Sequence, residues 1–242
     1  MKAVAFVAAA ALSASAALAP QADAAPARKR VAAPVHRAPA AVDWSRRVLA
    51  TPDGGFVMGN PAAKVKLVEY GSLTCPHCAQ FSAEGKAPLT AKVRTGKVSY
   101  EFRNYILNGV DVAASLLARC GGTTRFFPLA ERFYATQQSW VGKISGATPA
   151  QQEQLKTLDV GPRIARLAQI GGLTQLAAQG GLAPARANAC LGDPAAVKRL
   201  VAMTEAAETR GVTGTPTFFI NGQNVGTHTW ATLQLLITQA GG

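Results

Sequence analysis

The stretch EYGSLTCPHC, residues 69–78, places two cysteines at a predicted junction between a strand and a helix. The apolar run from Val65 to Tyr70 is rich in residues that favour β-structure, and it predicts a buried strand. A turn then leads to Cys75, where we expect a helix to begin, because the next residue is a proline and proline suits the first helical position. This helix should run to about Lys86, where Pro88 would interrupt or kink it.

The two cysteines have the spacing of a redox-active pair. Unpaired backbone N–H groups and the positive end of the helix would stabilise a thiolate at Cys75. Cys78, one helical turn further on, is placed to attack a mixed disulfide formed by Cys75. A protonated His77 would favour that thiolate by charge and hydrogen bonding, and an exposed His77 without this role is the alternative. Pro76 has a sufficient structural role at the helix start.

Structural zinc is the main competing interpretation of paired cysteines at this spacing. Zinc needs two further ligands, but Cys120 and Cys190 are single cysteines with no histidine beside them, and the chain has only 3 His. We therefore predict no metal site and no cofactor.

The rest of the chain predicts a second strand, a helical region and a hairpin. Alternation from Val98 to Tyr105 indicates a strand, which completes a strand-helix-strand unit. From about residue 109 to 211, helix-favouring residues recur at helical spacing between glycine breaks, so we expect several short helices. Thr217 to Ile220 then predicts a strand, Asn221-Gly222 a hairpin turn, and the segment from about Trp230 to Gln239 a closing helix.

Two segments, residues 69–78 and GTPTFFING at residues 214–222, resemble the active-site segment and the cis-proline loop of the DsbA family of thioredoxin-fold oxidoreductases. The resemblance covers roughly residues 56 to 239. It implies an α/β thioredoxin fold with a helical insertion at about 109–211. It also implies that Cys75 is the nucleophile and Cys78 the buried resolving thiol.

The resemblance assigns roles to three further residues. Pro216, preceded by Thr215, would form a cis peptide bond that faces the cysteines, and its loop would offer backbone hydrogen-bonding groups to an extended substrate. Glu69, six positions before Cys75, matches the buried acid of the family and would relay protons for Cys78. A partly exposed glutamate at a strand end is the alternative interpretation.

Cys120 and Cys190 are expected to form a structural disulfide within the helical insertion. An even number of cysteines favours pairing in an oxidising compartment. In the chain-entropy model such a bridge stabilises the fold by roughly 4 kcal/mol. Two separate buried thiols are the alternative.

The N-terminal region predicts export. Lys2 is followed by apolar and small residues up to Ala19, which is typical of a signal peptide, and we place this segment at residues 1–24. An uncleaved anchor helix is the alternative, but the alanines make the run only weakly hydrophobic. Residues 25–52 are basic and rich in proline and alanine, which indicates a linker, and residues 53–242 would form the folded domain. We therefore expect a periplasmic protein with a cleaved signal peptide.

The net charge of +12 does not by itself indicate nucleic-acid binding. Almost half of the excess lies in the predicted linker, and no stripe of interleaved aromatic and basic residues follows it. With 48% hydrophobic and 16% charged residues, the chain has the composition of a globular protein.

These features favour a thiol-disulfide oxidoreductase that introduces disulfides into exported proteins. Its partners would be unfolded or reduced exported proteins and a membrane protein that reoxidises it, and we expect a monomer that does not bind nucleic acid. A periplasmic disulfide isomerase or reductase of the DsbC or DsbG type is the alternative, because Thr215 before the proline resembles those proteins. The predicted linker stands where those isomerases carry a dimerisation domain, which favours the oxidase. A chaperone-like peptide binder is the alternative of another class.

Overall fold

The computed structural model describes residues 42–242, so the predicted signal peptide and most of the predicted linker lie outside the described residues. The strands in this part are β1 (Val48–Ala50), β2 (Phe56–Gly59), β3 (Val65–Gly71), β4 (Val98–Asn104), β5 (Thr217–Ile220) and β6 (Gln223–Gly226). They form one sheet in the order β1-β2-β4-β3-β5-β6. Strands β3 and β4 pair in parallel, and the other neighbours pair antiparallel.

Helices cover the sheet and fill the long connection between β4 and β5. They are α1 (Pro76–Arg94), α2 (Gly109–Cys120), α3 (Gly122–Ala135), α4 (Gln137–Ser145), α5 (Pro149–Thr157), α6 (Val160–Gly171), α7 (Leu173–Gln179), α8 (Pro184–Leu191), α9 (Pro194–Glu208) and α10 (Trp230–Gln239). Helices α2 to α9 form the helical insertion that the sequence predicts. Across residues 42–242, no helix combines the length and the apolar character needed to cross a membrane.

The β3-α1-β4 unit and the β5-β6-α10 unit together make a thioredoxin fold, as predicted from the sequence. Strand β3 lies in the middle of the sheet between β4 and β5, and most of its side chains are buried. A strand covered on both faces needs a nearly continuous apolar run, which explains the composition of residues 65–71.

Two large buried clusters of apolar side chains make up most of the core. Leu67, Phe81 and Phe218 belong to a buried cluster that packs α1 and α10 against the sheet. A larger cluster lies in the helical insertion, and it extends to Leu73 and Cys78. The insertion therefore packs directly against the turn that carries the two cysteines.

The expectation that the first helix runs only to about Lys86 is wrong. Helix α1 continues through Pro88 to Arg94. An interior proline removes a backbone hydrogen bond and costs about 3 kcal/mol. The helix persists because Leu89 and Val93, which follow the proline, are buried in the core, and their burial offsets that cost.

The predicted boundary between linker and domain lies too far along the chain. A short 3-10 helix at Trp44–Arg46 and strand β1 fall inside the predicted linker. Strand β1 pairs with β2, which the sequence did not distinguish as a strand, and the N–H of Gly59 donates to the carbonyl of Arg47 at 2.9 Å. No proline occurs between Pro39 and Pro52, so this stretch is free to add an edge strand to the sheet.

Candidate active site

Cys75 is the N-cap residue of α1, at the junction that the sequence predicts. Its backbone is extended, and Pro76 occupies the start of the helix. The backbone N–H of Cys78 donates to Sγ of Cys75 at 3.4 Å. The helix N-terminus therefore directs its unpaired N–H groups and its positive dipole towards one sulfur atom.

The two thiols of the motif have opposite electrostatic environments. A hydrogen bond from the side chain of Cys78 is the main cause that lowers the pKa of Cys75 to about 5. The Thr215 side chain and the backbone N–H groups of Cys78 and His77 also lower this pKa, against the opposing effect of burial. Burial raises the pKa of Cys78 well above its usual value, and the charge of Glu69 acts in the same direction. These environments favour the thiolate at Cys75 and the protonated thiol at Cys78.

The loop before β5 faces this pair. The Thr215-Pro216 peptide bond is cis, and Sγ of Cys75 lies 3.3 Å from the backbone oxygen of Thr215. The Thr227 hydroxyl donates to the carbonyl of Pro216 at 2.8 Å, and the Thr217 hydroxyl donates to the carbonyl of Gly214 at 2.7 Å. These bonds hold the loop beside the cysteines.

His77 contributes to the site through its backbone, and the predicted effect of its imidazolium charge on Cys75 stays a prediction. Its N–H contributes to the stabilisation of the Cys75 thiolate, whereas the side chain is exposed. Within residues 42–242 no hydrogen bond joins the imidazole to Cys75. The imidazole instead lines a groove of about 160 Å³, together with Phe81, Pro216 and His228.

Glu69 is buried on β3, so the alternative of a partly exposed strand-end residue is wrong. The Tyr100 hydroxyl donates to Oε2 of Glu69 at 2.5 Å, and Oε1 has no hydrogen-bond partner among the described residues. Burial raises the pKa of Glu69 to about 8, although the bond from Tyr100 lowers it. A carboxyl group that titrates near neutral pH can accept and return a proton.

Two residues of the helical insertion donate hydrogen bonds to residues 72–75, the turn that leads into α1 and is here called the redox turn. Neither residue was predicted from the sequence. Nε2 of Gln137, at the start of α4, donates to the carbonyls of Leu73 and Cys75 at 2.9 Å and 3.0 Å. The Tyr134 hydroxyl donates to the carbonyl of Ser72 at 3.1 Å. Nothing in the local sequence marks these residues, because their partners lie about 60 positions earlier in the chain.

Asp111, on α2, accepts a hydrogen bond from the same turn. Its Oδ1 accepts the backbone N–H of Leu73 at 2.9 Å, and its Oδ2 accepts that of Leu107 at 3.1 Å. Burial raises the pKa of this carboxyl to about 6, and the hydrogen bonds that it accepts limit the rise. Asp111 is one of the few charged residues in the core, and it ties the end of β4 and the redox turn to the insertion.

Cys120 and Cys190 form a disulfide with a Cα–Cα distance of 6.0 Å. It joins the end of α2 to α8, within the helical insertion. In the part of the chain from residue 42 onward, no group of three or more His, Cys, Asp or Glu side chains is arranged to hold a metal ion.

Fold and site together define a thioredoxin-fold protein with a paired-cysteine redox motif opposite a cis-proline loop. The family model described as "Thioredoxin" matches residues 51–239. The chain belongs to this family, and the predicted thioredoxin fold with a helical insertion, which solved DsbA-like structures share, is confirmed.

Solved structures share the fold over most of the chain. A protein-disulfide isomerase from Novosphingobium aromaticivorans is 34% identical with a TM-score of 0.73, and the match covers 80% of this chain and 100% of that one. Wolbachia pipientis alpha-DsbA1 is 23% identical with a TM-score of 0.61, over 76% of this chain and 89% of that one. The second likeness concerns the fold alone.

Curated relatives match the folded part of the chain. A Rickettsia conorii protein named "Putative protein-disulfide oxidoreductase" is 30% identical over 191 residues, which are 78% of this chain. A relative of the same name from Rickettsia bellii is 32% identical over 70% of this chain. The matches cover 61% and 58% of the relatives' own lengths, so this chain corresponds to about three fifths of each.

Proposed function

We propose that this protein is an exported thiol-disulfide oxidoreductase that introduces disulfides into other exported proteins. The observation that carries the proposal is the contrasting placement of the two thiols: Cys75 caps α1, with the backbone N–H of Cys78 3.4 Å from its Sγ, whereas Cys78 is fully buried. This placement lowers the pKa of Cys75 to about 5 and raises that of Cys78. A stable thiolate at Cys75 favours the reduced form of the pair, and this makes the disulfide form an oxidant.

The reaction starts from the Cys75-Cys78 disulfide. A thiolate of the client attacks Sγ of Cys75, the bond between the two cysteines breaks, and Cys78 leaves and takes up a proton. A second client thiolate then attacks the client sulfur of the mixed disulfide and releases Cys75 as a thiolate. The client loses two electrons, and the cysteine pair gains them.

Glu69 would donate a proton to Cys78 and accept it back in the reverse step. The Cys78 thiol is buried, and the charge of Glu69 raises its pKa, so the two groups interact electrostatically. When Cys78 leaves as a sulfur anion, a protonated Glu69 can supply the proton, and its carboxylate can remove it again when Cys78 attacks.

The client would bind as an extended chain beside the cis-proline loop. Thr215 offers its backbone oxygen next to Sγ of Cys75, in reach of a main-chain donor of the client. The neighbouring groove combines apolar surface from Phe81 and Pro216 with polar side chains such as those of His77 and Thr229. Such a surface suits clients of varied sequence. A membrane protein would then reoxidise the cysteine pair after each turnover.

A disulfide isomerase is the second candidate. It is favoured by the name of the Novosphingobium aromaticivorans relative and by Thr215 before the cis-proline. An isomerase acts from the reduced state, in which the Cys75 thiolate attacks a wrong disulfide of the client.

Two assays with purified protein separate the candidates. The oxidised protein is mixed with a reduced, unfolded client, and the reduced protein is mixed with the same client in scrambled form. The proposal predicts rapid stoichiometric oxidation in the first assay, slow reactivation in the second, and loss of both with Cys75→Ser. Fast reactivation together with poor oxidation would instead identify an isomerase. Cell fractionation with N-terminal sequencing of the mature protein tests export and cleavage near residue 24.

A further inference from the structure

A cavity of about 250 Å³ in the helical insertion carries an excess of positive charge. Its lining includes Arg119 near the end of α2, Arg186 on α8 and Arg199 on α9, and the single carboxylate is that of Asp193. Three guanidinium groups against one carboxylate leave an excess of two positive charges.

The single carboxylate is already engaged. Asp193 is the N-cap of α9 and accepts the backbone N–H of Ala195 at 2.9 Å. Its Oδ2 pairs with Nη2 of Arg199 at 3.3 Å. Within residues 42–242, neither Arg119 nor Arg186 forms a salt bridge. Two of the three arginines therefore lack a counter-charge in the described part of the chain.

Arg119 is the most constrained of the three. Its guanidinium lies over the ring of Phe56, 5.1 Å from the centroid, and Nη1 donates to Oδ1 of Asn104 at 3.1 Å. Burial lowers the pKa of Arg119 to about 10, and the charge of Arg199 lowers it further. A partly buried charge that faces a like charge is unfavourable, unless an anion compensates it.

The walls of the cavity are held in place before any ligand binds. Nε of Arg186 donates to the carbonyl of Cys120 at 3.3 Å, which leaves its terminal NH₂ groups available. The Cys120-Cys190 disulfide fixes α2 against α8, and both helices contribute to the lining. A site formed by fixed elements loses little entropy on binding.

We propose that Arg119, Arg186 and Arg199 bind the dianionic phosphate group of a phosphate monoester in this cavity. Such a group carries a charge of about −1.5 to −2 at neutral pH, which matches the two excess positive charges. Guanidinium groups bind phosphate oxygens through paired, charge-assisted hydrogen bonds. The site does not involve the Cys75-Cys78 pair, so this proposal is independent of the proposed redox function.

Calorimetric titration of the purified protein with inorganic phosphate tests the site at constant ionic strength. Between pH 5.5 and 7.5 phosphate loses its second proton, so its affinity should rise several-fold. Sulfate, which is a dianion throughout, should bind with constant affinity, because the arginines stay charged and the hydrogen bonds and the charge of Arg199 keep the pKa of Asp193 low. Binding that is not saturable, or that chloride displaces equally well at equal concentration, would overturn the proposal.

Three variants locate the site. Arg119→Gln should weaken phosphate binding about tenfold, which corresponds to the loss of one charge-assisted hydrogen bond. Asp193→Asn removes the negative charge but keeps a good N-cap, so it should tighten binding, a result that misfolding cannot produce. Arg163→Gln, at an exposed position on α6 outside the cavity, is the matched control and should bind like the unaltered protein. Unchanged affinity in both cavity variants would contradict the proposal.

Two further ligands distinguish the sources of the phosphate group. Free glycerol phosphate represents a soluble ester, and vesicles of phosphatidic acid in phosphatidylcholine represent a lipid head group. Arg119-dependent binding to the free ester supports a soluble ligand, and Arg119-dependent binding confined to the vesicles supports a lipid. Absence of Arg119-dependent binding to either would overturn the proposal.

Discussion

The hydroxyl of Tyr100 lies 2.5 Å from Oε2 of Glu69 on the neighbouring strand, where Glu69 is buried and Tyr100 is partly buried. Because Tyr100 occupies one carboxyl oxygen, Oε1 is the oxygen left free to carry a proton. Glu69 also raises the pKa of Cys78. Tyr100 thus acts on the protonation of Glu69, and Glu69 in turn acts on the protonation of Cys78 in α1.

Replacement of Glu69 by Gln should stabilise the reduced protein in alkaline solution. The pKa of Glu69 is raised from 4.5 to about 8, so the folded state holds a proton that the unfolded state releases, and stability falls as the pH rises through this window. A neutral Gln removes this loss, with a gain on the order of 4 kcal/mol at pH 8 and little effect at pH 4.5. Denaturant unfolding at both pH values measures it.

Glu84→Gln, an exposed change on α1, serves as the control for that experiment. It should leave the pH dependence of stability unchanged. If Glu69→Gln had the same small effect at both pH values, Glu69 would not be the buried titrating group.

The thiolate of Cys75 should be detectable by its reactivity. Alkylation of the reduced protein by iodoacetamide should be half-maximal near pH 5, because the pKa of Cys75 is lowered to about 5. The lowered pKa stabilises the reduced fold above the unfolded-state value near 9, and this contribution is lost as the pH falls through about 5. Half-maximal alkylation near pH 9 would remove the basis of the oxidase proposal.

The sequence predicted the elements around this site well. The apolar run at residues 65–70, the alternation at residues 98–105 and the turn signal at residues 221–222 are local signals, and each corresponds to an element of the fold. Strands β1 and β2 escaped prediction because they are short and owe their structure to pairing with each other and with β4. The length of α1 was predicted too short, because proline disfavours a helix locally whereas burial of the residues after Pro88 sustains this one.

Replacement of Gln137 by Met should loosen the redox turn. The carbonyl of Leu73 would lose a buried donor, and an unsatisfied buried acceptor costs about 1 to 3 kcal/mol. We also expect the alkylation midpoint of Cys75 to shift to higher pH, because the turn that directs N–H groups at its sulfur is less constrained. The exposed neighbour Gln138→Met is the control and should change neither quantity.

A purely structural role of Gln137 would lower the free energy of unfolding and leave the alkylation midpoint in place. Such a result would contradict the positioning of Cys75 by the insertion.

The roles of Gln137, Tyr134 and Asp111 could not be predicted from the sequence, because an amide, a phenol and a carboxylate in a helical region have no local pattern that reveals distant partners. By contrast, Cys75, Cys78 and Pro216 stand in short motifs that can be read directly.

Removal of the second cysteine pair should destabilise the fold. Cys120→Ala combined with Cys190→Ala opens a bridge between residues 70 positions apart, and the chain-entropy model gives a loss of about 4 kcal/mol. Client oxidation at low temperature should be retained, because the Cys75-Cys78 pair remains intact. Unchanged denaturant midpoints in the double variant would show that the bridge contributes nothing to stability.

The reduction potential of the Cys75-Cys78 pair tests the oxidase proposal most directly. The pair is equilibrated with glutathione buffers of known ratio, and its redox state is determined after acid quenching and thiol labelling. Because the Cys75 thiolate stabilises the reduced form, we predict a potential more positive than about −180 mV, on the side of the about −120 mV of a DsbA-type oxidant. A potential close to that of thioredoxin, about −270 mV, would contradict the proposed oxidase and indicate a reductant.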